Sequence, residues 1–354
     1  MRPQVDETKL NESLQRMLTD IGAAMSASLV VIGDKLGLYK ILAAGGPMTP
    51  AELAKATGTN ERYVHEWLNN QAAGGYVTLH PKNQTYSLTP EQAHLLADET
   101  STYFIPGAFQ IIAATVHDSP HIEQRFKTGR GLEWGEHHPG LFEGTERFFG
   151  HLYAANLIKN WIPSLQGVEP RLKKGIDVAD LGCGHGASTI LMAKAYPNSR
   201  FVGYDTHEAS IKVARERAKA SGVEDRVQFK VGRAESLPGT YDFVTTFDAL
   251  HDMTDPLGVA KHTKEMLRPE GEWMIVEPKA GDDVSENLNP IGRLFYGTST
   301  MVCVPSALSG SSKGSALGAQ AGENKIREVV EQGGFRHVQR VAQTPFNMVL
   351  EARP

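Results

Sequence analysis

Residues 180–188 read DLGCGHGAS, and the way this run turns decides how the second half of the chain is built. Gly182, Gly184 and Ala187 satisfy the G-x-G-x-x-A spacing of a dinucleotide loop, in which a strand turns sharply into a helix. Two acidic residues separate this loop from an ordinary dinucleotide site. Asp180 stands two residues ahead of the first glycine, where a nucleotide-binding strand carries an apolar residue. A carboxylate there would repel a pyrophosphate and suits a cationic ligand. Asp205 ends the next apolar run, FVGYDT, with Thr206 beside it, and can accept hydrogen bonds from both hydroxyls of a ribose. The glycines let the backbone come close to such a ligand with no Cβ in the way.

Around this loop the chain alternates between strand-like and helical stretches. DVADLGCG, RFVGYDT, VQFKVG, YDFVTTFDAL and EWMIVEP read as strands, mostly separated by helices, which predicts a parallel sheet covered by helices. FRHVQRVA and FNMVLEARP predict a closing strand pair, and SALSGSSKGSALGAQAGE (306–323) a mobile loop. The first hundred residues differ. MTPAELAKATGTNERYVHEWLNNQ predicts two short helices about a turn at Gly58 and Asn60, with a Thr49–Glu52 capping box on the first. GGYVTLH and QTYSLTP then form a β-ribbon, so this region reads as a winged helix. The expected domains are 1–98 (winged helix), 99–170 (an apolar, histidine-rich helical connector roofing the site) and 171–354 (the α/β sheet domain).

The pattern over 171–354 resembles the class I S-adenosylmethionine-dependent methyltransferases, whose ligand joins a cationic ammonium and sulfonium to a ribose. VADLGCGHG matches their first motif and Asp205 their second; FDALHDMTDP and LRPEGEWMIVEP match their later ones. The resemblance implies a Rossmann-like sheet and S-adenosylmethionine as cofactor. Its site residues would be Asp180, Gly182, Gly184, Asp205, Thr206, Phe247 and Asp248. Arg233 stands where the family carries an aspartate for the adenine, so that contact passes to Ala234 or Glu235. ALHDM is similar to the LHDW segment of small-molecule O-methyltransferases, in which the histidine, here His251, is the general base. An imidazole with a pKa near ~6.5 can take a hydroxyl proton at neutral pH, and Glu277 is placed to orient it. The alternative is that His251 only packs beside the cofactor, as an S- or N-methyltransferase would allow. Tyr153, Asn156 and Tyr296 are expected to touch a small-molecule acceptor.

The winged helix resembles the dimerisation domain of those O-methyltransferases, and the whole chain the bacterial winged-helix methyltransferases labelled as regulators. A homodimer is therefore expected, with the apolar run MSASLVVIG as interface. The competing reading is a DNA-binding regulator with a vestigial methyltransferase domain. One arginine and two glutamates on the candidate recognition helix, with a formal net charge of −5, make a poor phosphate-binding surface. No metal site is expected, because His117, His121, His137, His138 and His151 form no HExxH motif and come with no compact set of carboxylates. Two cysteines in 354 residues fit a reducing, cytoplasmic setting. The start lacks the pattern of a signal peptide, and MSASLVVIG is much shorter than a bilayer span.

Overall fold

The computed structural model describes residues 5–310 and 315–354. The chain falls into two compact units: the stretch to Ala114 with Glu143–His151, and Thr115–Phe142 with Leu152–Pro354. The segment 99–170 is therefore not a piece of its own. Helices Pro106–Thr128 and Gly140–Asn156 each contribute to both units. Two glycines explain why 143–151 joins the first unit. A Cβ on Gly107 would lie 2.7 Å from the Phe148 amide nitrogen, and one on Gly144 2.8 Å from that of Ile111, so the two helices meet backbone to backbone.

The first unit is a winged helix. Helix α1 (Glu7–Lys35) is capped by Asp6, and Gly37, at φ +71°, turns the chain into α2 (Leu38–Gly45). Helix α3 (Pro50–Thr57) starts in the Thr49–Glu52 capping box and α4 (Glu61–Ala73) on the Asn60 side chain, as the sequence predicts. Strands β1 (Thr78–His80) and β2 (Thr85–Ser87) pair antiparallel as the wing. Val30, Leu38, Tyr39, Leu53, Val64, Trp67, Leu68 and Tyr86 fill the core, with the Trp67 indole donating to the Leu29 carbonyl.

Helix α1 corrects two expectations. Within the run 25–33, Ser26, Ala27, Val30 and Gly33 are buried in the winged helix itself. The exposed apolar face lies mostly earlier, on Leu10, Leu14, Met17, Leu18 and Ile21, and continues into the run only at Met25 and Ile32, each about half exposed or more and spaced as one stripe of a helix. In addition, α1 is by length and mean hydropathy (1.3) apolar enough to cross a membrane, which MSASLVVIG alone does not suggest.

The second unit holds a seven-stranded sheet ordered β5-β4-β3-β6-β7-β9-β8. Its strands are β3 (Asp177–Leu181), β4 (Arg200–Asp205), β5 (Val227–Val231), β6 (Tyr241–Phe247), β7 (Leu267–Pro278), β8 (His337–Gln343) and β9 (Asn347–Arg353). Strands β3 to β7 run parallel, and β9 enters antiparallel between β7 and β8. Both sheet faces are covered at β6 and β7, where Phe243, Val244, Trp273 and Ile275 are fully buried. The strand order reverses beside β3, and an open parallel sheet binds ligands at the carboxyl ends of the strands there. Of the expected loop 306–323, Ser306 and Ala307 belong to the helical turn Val304–Ala307, and Gly322 begins the helix Gly322–Gln332; residues 311–314 lie outside the described residues.

Candidate active site

The glycine loop follows β3 and opens the helix Ala187–Ala195. Gly182 and Gly186 both have positive φ, and a Cβ would meet Ala249 (2.8 Å) or the Phe229 ring (2.5 Å) respectively. Gly184 also has positive φ, +51°, but nothing lies within 4 Å on its Cβ side. Gly182 and Gly186 thus serve packing, whereas Gly184 leaves an open face on the loop. Its amide donates to Asp205 Oδ2 at 2.9 Å, and the His207 amide donates to Oδ1 at 2.8 Å. These two donors hold the half-buried Asp205 carboxylate at the end of β4, beside the loop. Burial raises its pKa, with the two amides pulling the other way. Thr206 is exposed next to it.

Asp180 is placed differently from a free counter-charge. It is buried, Oδ2 accepts from the Ser188 (2.7 Å) and Thr189 (2.6 Å) hydroxyls, and Oδ1 accepts from Thr245 (3.0 Å). Burial pushes its pKa up to about 6 against those three donors. Asp180 therefore ties the glycine loop to the first turn of the following helix and to β6. Ala234 and Glu235 lie on a short 3-10 turn after β5. Arg233 Nε donates to Glu235 Oε1 at 2.6 Å, and its Nη2 to the Thr254 hydroxyl at 2.9 Å. The arginine that breaks the family pattern is thus neutralised by its neighbour, and Glu235 has one oxygen engaged.

At the end of β6, Asp248 adopts φ +47°, a conformation that costs energy for a residue with a Cβ and that clusters at functional sites. Its Oδ1 accepts from Asn347 Nδ2 (2.8 Å) and Oδ2 from the Tyr153 hydroxyl (2.7 Å). Burial first, and then the Glu277 charge, push its pKa up to about 8. Tyr153 is itself buried, with its ring 5.3 Å from that of Phe247, so it braces Asp248. Asn156 is bound within its own helix, to the Leu152 carbonyl and to Asn160. Tyr296 is half-buried on the helix Pro290–Thr298.

His251 and Glu277, predicted as a pair, are brought together. His251 Nδ1 lies 2.5 Å from Glu277 Oε2, and the Leu250 amide donates to Oε1 at 3.0 Å. Both side chains are buried. His251 Nε2 is 3.1 Å from Asp252 Oδ1, an ion-pair distance without hydrogen-bond alignment. Burial opposes the imidazolium, but Asp252 and Glu277 outweigh it and lift the His251 pKa well above the ordinary value. Among the histidines of 117–138, His137 Nδ1 (3.1 Å), the His138 amide (3.0 Å) and His117 Nδ1 (3.4 Å) surround the Asp118 carboxylate. Sequence spacing does not reveal that arrangement, because it depends on the fold of the 129–139 segment. The rings of Trp134, Phe142 and His207 form a ladder from this segment to the Asp205 turn (5.6 and 4.8 Å).

A seven-stranded sheet of this order, with a glycine loop after β3 and an aspartate at the end of β4, is the arrangement that the resemblance to class I methyltransferases implies. Residues 172–334 match the family described as a methyltransferase domain, and residues 24–98 the Rv2258c-like winged HTH domain. The 27-O-demethylrifamycin SV methyltransferase of Amycolatopsis mediterranei is 31% identical over 138 residues, 36% of this chain and 50% of that protein. The chain spans about half the length of the first curated relatives it matches. Across nearly the whole chain the fold is that of solved O-methyltransferases. The mitomycin 7-O-methyltransferase MmcR superposes with TM-score 0.71 at 18% identity, covering 98% of this chain and 100% of that one. Human N-acetylserotonin methyltransferase in complex with S-adenosylmethionine gives 0.70 at 15%, covering 100% and 99%.

Proposed function

We propose that the chain transfers a methyl group from S-adenosylmethionine to a hydroxyl of a small-molecule acceptor, with His251 as general base. The observation that carries this reading is the buried His251–Glu277 pair beside the β6 end of the sheet, in the same unit as the open glycine loop. When bound, the cofactor supplies an electrophilic sulfonium methyl. Asp205 would accept from its ribose hydroxyls, the open face of Gly184 would receive its backbone-facing side, and Phe247 and Asp248 would border it. Glu277 takes the Nδ1 proton of His251 in a hydrogen bond, which directs the lone pair to Nε2. Nε2 then withdraws the acceptor proton, and the rest of the rate enhancement comes from holding the reactants in line. Mass analysis of the protein as purified tests the reading. Bound S-adenosylmethionine or S-adenosylhomocysteine supports it, and a co-purified nicotinamide dinucleotide overturns it.

One observation favours an acceptor that needs no base. With carboxylates on both sides, His251 holds its proton more tightly than a free imidazole, so it serves as a base only above the ordinary histidine range. An S- or N-methyltransferase would leave it protonated.

The enzyme reading is supported over a DNA-binding regulator by α4. The guanidinium of Arg62 is paired with Glu66 at 2.5 Å on an exposed face, which leaves little net positive charge for phosphates. The apolar stripe of α1 supports a homodimer through the winged-helix unit, since exposed patches of this kind mark interfaces. Sedimentation of the full chain at tens of micromolar should show a dimer, and Leu14→Glu with Ile21→Glu should shift it to monomer. A wild-type monomer contradicts the proposal. The two cysteines, both free and buried, fit a cytoplasmic protein.

A further inference from the structure

Cys303 has no part in the chemistry above, yet the fold carries it to the base. It ends a π-helical turn, Ser299–Cys303, and is buried; such turns concentrate at functional sites. A nitrogen of His251, a carboxylate oxygen of Asp252 and the Cys303 sulfur all lie within 4.8 Å of one another. Asp252 Oδ1 is buried, and its ion-pair partner His251 Nε2, at 3.1 Å, is not aligned to hydrogen-bond it, so its hydrogen-bonding capacity is left unmet.

We propose that His251, Asp252 and Cys303 form a binding site for a zinc-like divalent cation, and that its occupancy shuts off the base. The donor set is nitrogen, oxygen and sulfur, a mixture zinc accepts in four-coordinate sites, and three protein ligands leave one position for water. The outer shell is present too. A ligating histidine normally gives its second ring N–H to a carboxylate, and Glu277 stands at Nδ1 for that role. Charge also balances. The cation displaces the Nε2 proton of His251 and the thiol proton of Cys303, so two positive charges replace two and the net charge of the pocket is unchanged. Both protons leave to solvent. The metal then holds the Nε2 lone pair that the base would use, so the inhibitory half of the proposal rests on the function proposed above.

The test is titration of the metal-free full chain with Co²⁺ and with Zn²⁺. Cobalt should give a thiolate-to-metal charge-transfer band saturating at one ion per chain, and zinc should displace it. Cys303→Ala should abolish the band and weaken zinc binding by more than the roughly 10- to 100-fold that loss of an outer-shell partner costs. Cys303→Ser, closer in size, checks that the loss does not come from misfolding. No band in the wild type, or an unchanged one in Cys303→Ala, overturns the site. Because these readouts need no acceptor, their failure is separate from failure of the methyltransferase reading. A site that binds zinc while zinc leaves methyl transfer untouched overturns only the inhibitory half.

Discussion

His251→Ala should lower turnover by roughly 10²- to 10⁴-fold on a hydroxyl acceptor, the usual worth of a general base. Affinity for S-adenosylmethionine should barely change, because a general base acts on the acceptor's proton rather than on the cofactor. Alanine also strands the buried Glu277 carboxylate, so His251→Gln is the better second variant: its amide can still donate to Glu277 but cannot take a proton. Both should be similarly slow. The wild-type pH profile carries a further signature. A base acts when deprotonated, and the carboxylates beside His251 raise its pKa well above the ordinary value. Turnover should therefore climb with pH above the range of a free imidazole near ~6.5. A variant within about tenfold of wild type with a flat pH profile would rule out base catalysis and favour a sulfur or nitrogen acceptor.

Asp205→Ala should have the next largest effect, on cofactor affinity. Losing a charged acceptor for two hydroxyls costs on the order of 1.5–3 kcal/mol, or roughly 10- to 150-fold in Kd. The structure adds a reason for the upper end. The same carboxylate holds the Gly184 and His207 amides, so its removal also loosens the glycine loop. Asp205→Asn keeps the shape and loses the charge, and should fall between wild type and alanine. Calorimetry reads both.

The parts of this architecture that depend on local sequence were legible in it. The glycine loop, Asp205 and the two helix caps each need only a few neighbouring residues, and the His251–Glu277 pair follows from adjacent parallel strands. What was not legible comes from distant chain segments. Strand β9 enters the sheet antiparallel beside β7, which sets Asn347 opposite Pro278 and brings its amide to Asp248. Tyr153 has the right residue type for an acceptor contact, but the fold turns its hydroxyl onto Asp248. Asp180 looks like a counter-charge in the motif, and only the helix position of Ser188 and Thr189 shows it bound internally. In α1, composition marks 25–33 as the apolar surface, whereas packing against Trp67 buries part of it and leaves Leu10–Met25 uncovered. Cys303 reaches His251 only through the helices of 290–307.

Calorimetric titration of the purified wild-type chain with S-adenosylmethionine and, separately, with NADH tests the central claim most directly. The account predicts saturable binding of S-adenosylmethionine that weakens at least tenfold in Asp205→Ala, and no binding of NADH. Absence of S-adenosylmethionine binding, affinity unchanged by Asp205→Ala, or micromolar binding of NADH would contradict it.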